Sequence, residues 1–458
     1  MTIRLNDEQS RMNETEVASV TRPACTEAVQ RHVRAAARAG RVVSVAGGRH
    51  AMGGQQFARD AAHLDMTGLT GVRDLDVERG LATVAAGTMW PELIETLERL
   101  QPGDRRPWTI RQKQTGVDEV TVGGSVAANV HGRGLAMRPF SDDIESLVLV
   151  TADGEARECS RRENAELFSL AVGGYGLFGV VTEVTLRLMR RVKLRRRVAC
   201  VPVAEAVDRL TAARDGDALF GDCQYSPDLS GDAETHDGVL PVYEPVAGDV
   251  PLTPTPKALS PEEWAGLYRL IRTDKPRAYA VYADHYLKTD GQVYLSDRHQ
   301  LAGAFAGHKR AVDAARGTEM ITEAYVDAAA FADFMADARA VLRASGGDIS
   351  YGTIRLIEAD EVSFLRWADR PLVCVVCNLH TPNTAAGRGR VARQFRSVID
   401  SALRHGGRFY LTYHRWATPG QVAAAYPMAG EFFRLKRHHD QRGVFRSAWF
   451  RHYAAALA

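Results

Sequence analysis

Three glycine clusters within the first 180 residues constrain the fold of this chain more than any other sequence feature. They occupy residues 47–54, 123–134 and 173–179. Glycine allows a backbone to turn tightly, or to pass close to a ligand without a side chain in the way. Short predicted strands and helices surround the clusters without an internal repeat. We therefore predict one α+β domain over residues 20–193, with loops that approach a ligand.

The third cluster contains a G-x-G-x-x-G sequence, Gly174–Gly179, in the wrong context for a dinucleotide-binding fold. That fold requires a strand before the motif and a helix after it. Here a predicted helix, 167–172, precedes the motif and a strand with alternating apolar residues follows it. We reject the dinucleotide-binding interpretation and expect these glycines to let the backbone pass close to something flat or bulky.

The first two clusters have the character of phosphate-binding loops. Gly47 and Gly48 follow a predicted strand, 41–46, and successive glycines can present backbone N–H groups to a diphosphate. No Gly-Lys-Ser/Thr sequence follows, so this is not a Walker loop. His50 lies inside the same loop. Small side chains in the second cluster, residues 125–128, leave room for an elongated ligand. Each loop alone is a weak signal, and the two together are a stronger one.

The same segments resemble the vanillyl-alcohol oxidase family of FAD-linked oxidases, which have a PCMH-type FAD domain. Arg41–Gln55 is similar to the flavin-diphosphate loop of that family, and Val120–Gly134 to its second FAD loop. Gly174–Leu188 resembles its closing segment, and Phe433–Phe445 its C-terminal piece. Within the family, the pattern is most similar to the alditol and aldonolactone oxidases.

The resemblance implies an α+β fold with three parts. Residues 20–193 would form a PCMH-type FAD-binding domain of two subdomains. Residues 198–407 would form a separate α+β substrate domain, or cap, and residues 408–458 would return to the FAD domain and complete the flavin site.

The resemblance also implies a covalently bound FAD, attached to His50 through the flavin 8α-methyl group. Many family members have a second bond to a cysteine in the second loop, but residues 121–134 contain no cysteine, so we expect one bond. The positions that match the family's FAD contacts are Ala46, Gly47, Gly48, Arg49, His50, Ala51, Thr121, Gly123, Gly124, Ser125, Asn129, His131, Gly132, Gly179 and Val181.

The candidate catalytic residues come from segments that resemble strands of the family's substrate domain. Arg355 is a permanent cation that could stabilise negative charge on a substrate oxygen. His414 stands about where polyol oxidases have a lysine, and it is the candidate base. His380 is a candidate for an assisting role. Thr353 stands where the polyol oxidases usually have a glutamate, so the contact of that glutamate with a polyol is missing here. For each of these residues the alternative is a structural hydrogen bond.

We therefore expect an FAD-dependent oxidoreductase that oxidises a CH–OH group of a small molecule. Oxygen, or an electron carrier, would reoxidise the flavin. The alternatives within enzymes are a flavin-dependent reductase and an oxidative cyclase of secondary metabolism. A nucleic-acid-binding protein using the basic stretch Arg187–Arg197 is disfavoured, because the net charge is only +2 and no aromatic residues interleave that stretch.

The remaining expectations concern location and metals. The six scattered cysteines and the polar N-terminus favour the reducing cytoplasm, and no apolar run reaches the roughly 20 residues of a membrane span. Cys374 and Cys377 are three apart on a predicted strand and so would face opposite sides. We predict no metal site.

Overall fold

This computed structural model describes residues 3–231, 236–302 and 317–456. The helices of these residues are α1 Thr26–Arg38, α2 Trp90–Arg99, α3 Val122–Ala128, α4 Ala165–Ala171, α5 Ala206–Asp215, α6 Pro261–Thr273, α7 Lys275–Leu287, α8 Phe331–Ala344, α9 Ala385–Arg404, α10 Pro419–Ala425, α11 Ala429–His439 and α12 Ala448–Ala456. The strands are β1 Ile3–Leu5, β2 Thr15–Val17, β3 Ser19–Thr21, β4 Val43–Ala46, β5 Ala62–Asp65, β6 Val72–Asp76, β7 Leu81–Ala85, β8 Trp108–Thr109, β9 Ile144–Val150, β10 Ala156–Ser160, β11 Val180–Arg187, β12 Met189–Arg190, β13 Lys193–Pro202, β14 Phe220–Gly221, β15 Cys223–Tyr225, β16 Asp237–Val246, β17 Val293–Leu295, β18 Gly317–Val326, β19 Ile349–Ile357, β20 Leu372–Pro382 and β21 Arg408–Phe409.

Two small sheets carry the glycine clusters. A parallel sheet has the strand order β3-β5-β4, and an antiparallel sheet has the order β10-β9-β11-β7-β6. Helix α1 places Val29 and Val33 on one buried face, at the helical spacing of four residues, and packs between the two sheets. Helices α2 and α3 bury their apolar residues in a second core with β9 and β11. The glycine loops connect these elements.

A larger sheet lies in the second half of the chain. Its order is β17-β13-β16-β15-β19-β20-β18-β21, with β14 paired to β16, and its neighbouring strands are antiparallel. Helices α8 and α9 bury apolar side chains in the same core as β18, β19 and β20. Helices α6 and α7 pack against each other as a hairpin. The basic stretch of the sequence analysis becomes the end of β11, β12 and the first half of β13.

The C-terminal segment returns to the first sheet. The backbone N–H of Val43 in β4 donates to Val444 O at 2.7 Å, and Arg446 donates back to Val43 O. Asp440 fixes this segment, because its carboxylate accepts the N–H groups of Val444 and Phe445 at 2.8 Å each. The segment therefore ends beside the strand that leads into the first glycine loop.

Several predicted elements are present, with shifted ends. The predicted strand at 41–46 is β4, and the hairpin predicted at Asp153-Gly154 joins β9 to β10. The boundaries proposed for the three parts of the chain stay predictions, although the larger sheet begins at Lys193. Among the described residues, no helix combines the length and the apolar character needed to cross a membrane.

Candidate active site

A cavity of about 620 Å³ lies between the glycine loops and one face of the large sheet. A volume of this size is typical of ligand sites. Its lining includes all three glycine clusters at one end, and residues of β15, β18, β19 and β20 at the other. We call these the loop end and the sheet end. The cavity thus joins the predicted cofactor loops to the predicted substrate region in one continuous space.

The loop end has an unusual backbone in each glycine cluster. Arg49, Asn129 and Tyr175 all have φ between 46° and 60°, the left-handed region that side chains other than glycine rarely adopt. Such conformations concentrate at functional sites, where surrounding contacts hold them in place. Alternation of right- and left-handed residues also turns backbone N–H groups toward one point, which suits an anion.

The glycines at the loop end meet two different needs. A Cβ added at Gly48 would lie 2.0 Å from Glu119 O, so the first loop touches the second only because Gly48 has no side chain. A Cβ added at Gly124 would meet Thr121 Oγ1 at 3.0 Å, and the next atom of the described residues, Val120 Cγ1, lies 3.9 Å away. Because Gly124 lines the cavity, a larger side chain there would extend into the ligand space. This lining of backbone and small residues fits an elongated cofactor such as FAD.

Most of the predicted FAD contacts line this end of the cavity, and three do not. The lining residues are Ala46, Gly47, Gly48, Arg49, His50, Ala51, Thr121, Gly123, Gly124, His131, Gly179 and Val181. Of the others, Ser125 receives the Trp90 indole N–H, and Asn129 binds Asp360 and the backbone of Ser141. Gly132 donates its N–H to Gln112. These three residues support the loop from behind.

At the sheet end, buried polar side chains project into the cavity. Arg355 on β19 is 7% exposed and donates to Thr115 Oγ1, and its Nε has no hydrogen-bond acceptor among the described residues. Asp222, next to β15, and Asn378 on β20 also line the cavity. Each has a side-chain oxygen that accepts no hydrogen bond from the described residues. Buried polar groups are normally hydrogen-bonded, so these atoms point to a polar ligand.

A hydrogen-bonded network lies beneath the junction of the two ends. Glu323 on β18 accepts the hydroxyls of Tyr325 and Tyr413, both at 2.6 Å, and its Oε2 is 3.1 Å from His131 Nε2. Burial would raise the pKa of Glu323, but His131 and the two hydroxyls outweigh it and lower the pKa to about 2. The carboxylate therefore stays charged and holds Tyr413 and His131 in place.

His414, the predicted base, is not in the cavity lining. Its ring stacks on Trp416 with a centroid distance of 4.3 Å, and the side chain is buried. Burial, with the neighbouring charge of Arg415, lowers the pKa of His414 to about 3. The neighbours Thr412 and Tyr413 line the cavity instead. The regular strand β21 ends at Phe409, so strand alternation does not predict which side chain of this segment faces inward.

His380 lies one layer behind the cavity. Its Nδ1 is 3.1 Å from the hydroxyl of Tyr268 and 3.2 Å from Glu319 Oε1. Tyr268 lines the cavity and stands between it and His380. The structure therefore brings Arg355 to the cavity and leaves the two predicted catalytic histidines outside its lining.

Three potential metal ligands lie close together, although their chemistry suits hydrogen bonding better. Ligand atoms of His131, Glu323 and Cys374 lie within 4.8 Å of one another. A cysteine binds a metal as its thiolate, whereas burial and the charge of Glu323 raise the pKa of the Cys374 thiol well above its usual value. Both oxygens of Glu323 already accept hydroxyl hydrogen bonds. The expectation of no metal site stays a prediction.

Comparison with known proteins identifies the cofactor of the loop end. The chain matches the model of a protein family described as an FAD binding domain over residues 17–160. Residues 17–160 are an FAD-binding domain. This range contains the first two glycine loops, so the cofactor predicted for them, FAD, is confirmed.

Three relatives are similar to part of the chain. The chain is 29% identical over 203 residues to L-gulono-1,4-lactone dehydrogenase of Mycobacterium tuberculosis, covering 44% of this chain and 45% of the relative. It is 27% identical over 188 residues to L-gulonolactone oxidase of Bos taurus, covering 41% of each. An uncharacterized oxidoreductase of the fasciation locus of Rhodococcoides fascians is 35% identical over 161 residues, 35% of each chain.

The chain spans less than half the length of each of these relatives. The match over residues 17–160 and these relatives agree with the predicted resemblance to FAD-linked oxidases, and the mixed helices and sheets of that range agree with the predicted α+β FAD domain.

Three residues at the sheet end were missed by the reading of the sequence: Asp222, Glu323 and Tyr413. Asp222 and Gln224 are polar residues two apart in an apolar segment, a pattern that places both on one face of a strand. That alternation was a usable signal for Asp222. Glu323 and Tyr413 are brought together by the pairing of β18 with β21, and no local pattern marks their contact.

Proposed function

We propose that the protein is an FAD-dependent oxidoreductase that oxidises a CH–OH group of a small molecule. The observation that carries the proposal is the single cavity with FAD-binding loops at one end and buried, incompletely hydrogen-bonded polar side chains at the other. When bound, FAD supplies the redox chemistry by accepting a hydride at N5. Oxygen is the proposed acceptor that reoxidises it.

Arg355 is the proposed electrostatic residue. As the hydroxyl loses its proton and the carbon loses hydride, negative charge builds on the substrate oxygen. A fixed guanidinium beside that oxygen stabilises the transition state more than the ground state. Because Arg355 is buried and forms no ion pair with the described residues, its charge is available to a ligand. This role was expected from sequence, and the position of Arg355 in the cavity supports it.

Tyr413 replaces His414 in our proposal as the residue that hydrogen-bonds the substrate oxygen, and the hydroxyl proton passes to a carboxylate of the cavity lining, which contains Asp222 and Glu323. Tyr413 lines the cavity, and its hydroxyl donates to Glu323 at 2.6 Å. Burial and the charge of Glu323 raise the pKa of Tyr413 well above its usual value. Tyr413 therefore stays neutral and acts as a hydrogen-bonding group for the substrate oxygen, while Glu323 and His131 position it.

We also propose the covalent bond to FAD, the division into subdomains and cap, and the cellular location that the family resemblance implies. His50, in the cavity lining, carries FAD covalently through the 8α-methyl group. The FAD domain has two subdomains, and the large sheet with its helices is the substrate cap. The cytoplasm is the proposed location, supported by six cysteines that form no disulfide in the described residues.

The test is anaerobic mixing of the purified flavoprotein with a panel of polyols, aldonolactones and simple alcohols. At least one hydroxylated compound should bleach the flavin, and the carbonyl product should appear in equal amount. Readmitting oxygen should restore the colour and form peroxide. A protein that binds FAD but is reduced by none of these compounds, and is reduced by a nicotinamide instead, would contradict the proposal.

A further inference from the structure

Two opposite walls of the sheet end differ sharply in chemistry. One wall is formed by the large sheet and carries Asp222 and Arg355. The other is formed by the α6–α7 hairpin and is mostly aromatic. Together they indicate the class of molecule that the cavity accepts, an inference that rests on the proposed function and deepens it.

Asp222 and Arg355 lie opposite each other on neighbouring strands, but they do not form an ion pair with each other. In the antiparallel register of β15 and β19, Gln224 lies opposite Thr353 and Cys223 opposite Ile354, so Asp222 falls opposite Arg355. Side chains opposite each other in a sheet point to the same face. Both line the cavity, yet they form no ion pair with each other. The two charges thus face the same space with room between them.

The carboxylate of Asp222 has too few hydrogen-bond donors for its burial. It is 3% exposed, and its Oδ2 receives the Thr353 hydroxyl at 3.3 Å. Its Oδ1 lies 3.6 Å from Arg133 Nη1 and accepts no hydrogen bond from the described residues. An ionised carboxylate can accept about four hydrogen bonds, and a buried one needs most of them. A ligand hydroxyl would supply the missing donor.

Arg355 has the complementary deficit. Its Nη2 donates to Thr115, and its Nε has no acceptor among the described residues. A hydroxyl group both donates and accepts, so it satisfies Asp222 with its proton and Arg355 with its oxygen. Neither a purely apolar group nor a group that only donates satisfies both residues.

The opposite wall presents one helix face of tyrosines. Tyr279, Tyr282 and Tyr286 recur at helical spacing on α7, and all three line the cavity. Trp264 of α6 packs beside Tyr282, with ring centroids 6.4 Å apart, and also lines the cavity. These rings offer an aromatic surface for which a short polyol has no matching group.

We propose that the substrate is a hydroxylated molecule with a flat, apolar body of about the size of an aromatic ring. Asp222 accepts the hydrogen of its hydroxyl end, Arg355 donates to the oxygen of that end, and the ring lies against the tyrosine face of α7. Asp222 is thereby assigned as a substrate-binding residue.

The test compares ligands that differ by one feature. Binding of 1-phenyl-1,2-ethanediol and of 1,2-propanediol, in which a methyl group replaces the ring, is measured by anaerobic calorimetry on the FAD-loaded protein. The phenyl diol should bind at least about tenfold more tightly, because burying a ring is worth more than that. Equal dissociation constants for the two diols would overturn the role of the aromatic wall.

Two variants measure the contribution of each wall to ligand binding separately. In Asp222→Asn the dissociation constants of both diols should rise about tenfold or more, since a hydrogen bond to a charged acceptor is lost. In Tyr282→Leu, on the half-buried face of α7, only the preference for the phenyl diol should fall. Glu244→Gln, an exposed carboxylate of β16 paired with Arg197, is the control and should bind as the parent does.

The results that would overturn this inference differ from those that would overturn the proposed function. Unchanged diol binding in Asp222→Asn, with FAD content and circular dichroism as in the parent, would overturn the assignment of Asp222. If Asp222→Asn does not fold, unchanged ligand preference in Tyr282→Leu overturns the inference by itself. Failure of the proposed function would appear differently, as diols that bind in the expected order while no hydroxylated compound reduces the flavin.

Discussion

At the loop end of the cavity the lining is mostly backbone and small side chains, whereas at the sheet end it is long polar and aromatic side chains. The loop end is made by consecutive residues, such as 46–51, whose shape follows from local glycines. The sheet end is made by single residues from four strands and two helices. The difference separates a cofactor site defined by local chain shape from a substrate site defined by tertiary contacts.

The two ends of the cavity also differ in what makes them unfavourable without a ligand. Strain at the loop end is in the backbone, as at Arg49 with φ of 59°, and a bound cofactor offsets it through contacts with the main chain. At the sheet end the cost is in buried polar atoms that have no hydrogen-bond partner among the described residues, Asp222 Oδ1 and Arg355 Nε. A substrate hydroxyl offsets that cost. Substitutions at the two ends should therefore separate flavin binding from flavin reduction.

The largest effect is expected at His50, which belongs to the loop end. If His50 bonds to the flavin, the denatured parent protein should fluoresce as a flavoprotein in a gel, and His50→Ala should show no fluorescence at all. The measurement is made after denaturation, which removes any FAD that the variant binds non-covalently. His32→Ala, a change to a histidine outside the cavity lining, is the control. Fluorescence that persists in His50→Ala would place the bond elsewhere.

Gly124→Val should nearly abolish FAD content with the fold retained. The valine side chain would extend into the cofactor space, because little protein lies within 4 Å of a Cβ at this position. Flavin absorbance per chain is the measurement, with circular dichroism to report folding. Gly248→Val, in an exposed loop with nothing within 4 Å, should load normally. Normal loading of Gly124→Val would mean that this loop does not touch the cofactor.

The first two predictions concern the loop end, which could be predicted from the sequence. The loop residues follow one another in the chain, so their motif and their position in space are nearly the same information. By contrast, His414 and Tyr413 are adjacent in sequence, and only the path of the chain after Phe409 decides which faces the cavity. The pairing of Asp222 with Arg355 depends on a strand register between residues more than a hundred positions apart. No local pattern carries that information.

Arg355→Ala should slow anaerobic flavin reduction about a hundredfold without loss of FAD, as expected for a lost electrostatic contact in a buried site. Tyr413→Phe should have a smaller effect in the same direction. Stopped-flow absorbance with the alcohol that best reduces the parent gives both rates. Arg197→Ala, at an exposed position of β13, is the matched control. Rates within about threefold of the parent in both variants would make these residues structural.

The last effect is on the stability of the fold and leaves flavin binding and reduction at neutral pH unchanged; it is expected at His63 beneath the loop end. Burial lowers the pKa of His63 to about 4, and its Nδ1 is 2.8 Å from the Ser44 hydroxyl. The unfolded chain takes up the proton near pH 6.5, so the stabilisation is complete above that pH and is lost as the pH falls toward 4. The loss amounts to about 3 kcal/mol. In His63→Asn, the free energy of unfolding from urea titrations should fall less steeply over this range. An unchanged pH profile would contradict the buried neutral state.

The most direct test of the account is a crystal structure of the FAD-loaded protein. We predict that the flavin ring lies inside the cavity, between the glycine loops and the sheet, with Arg355 and Tyr413 facing the same space as the ring. Density for the flavin outside this cavity, or a layer of protein that separates the ring from Arg355 and Asp222, would contradict it.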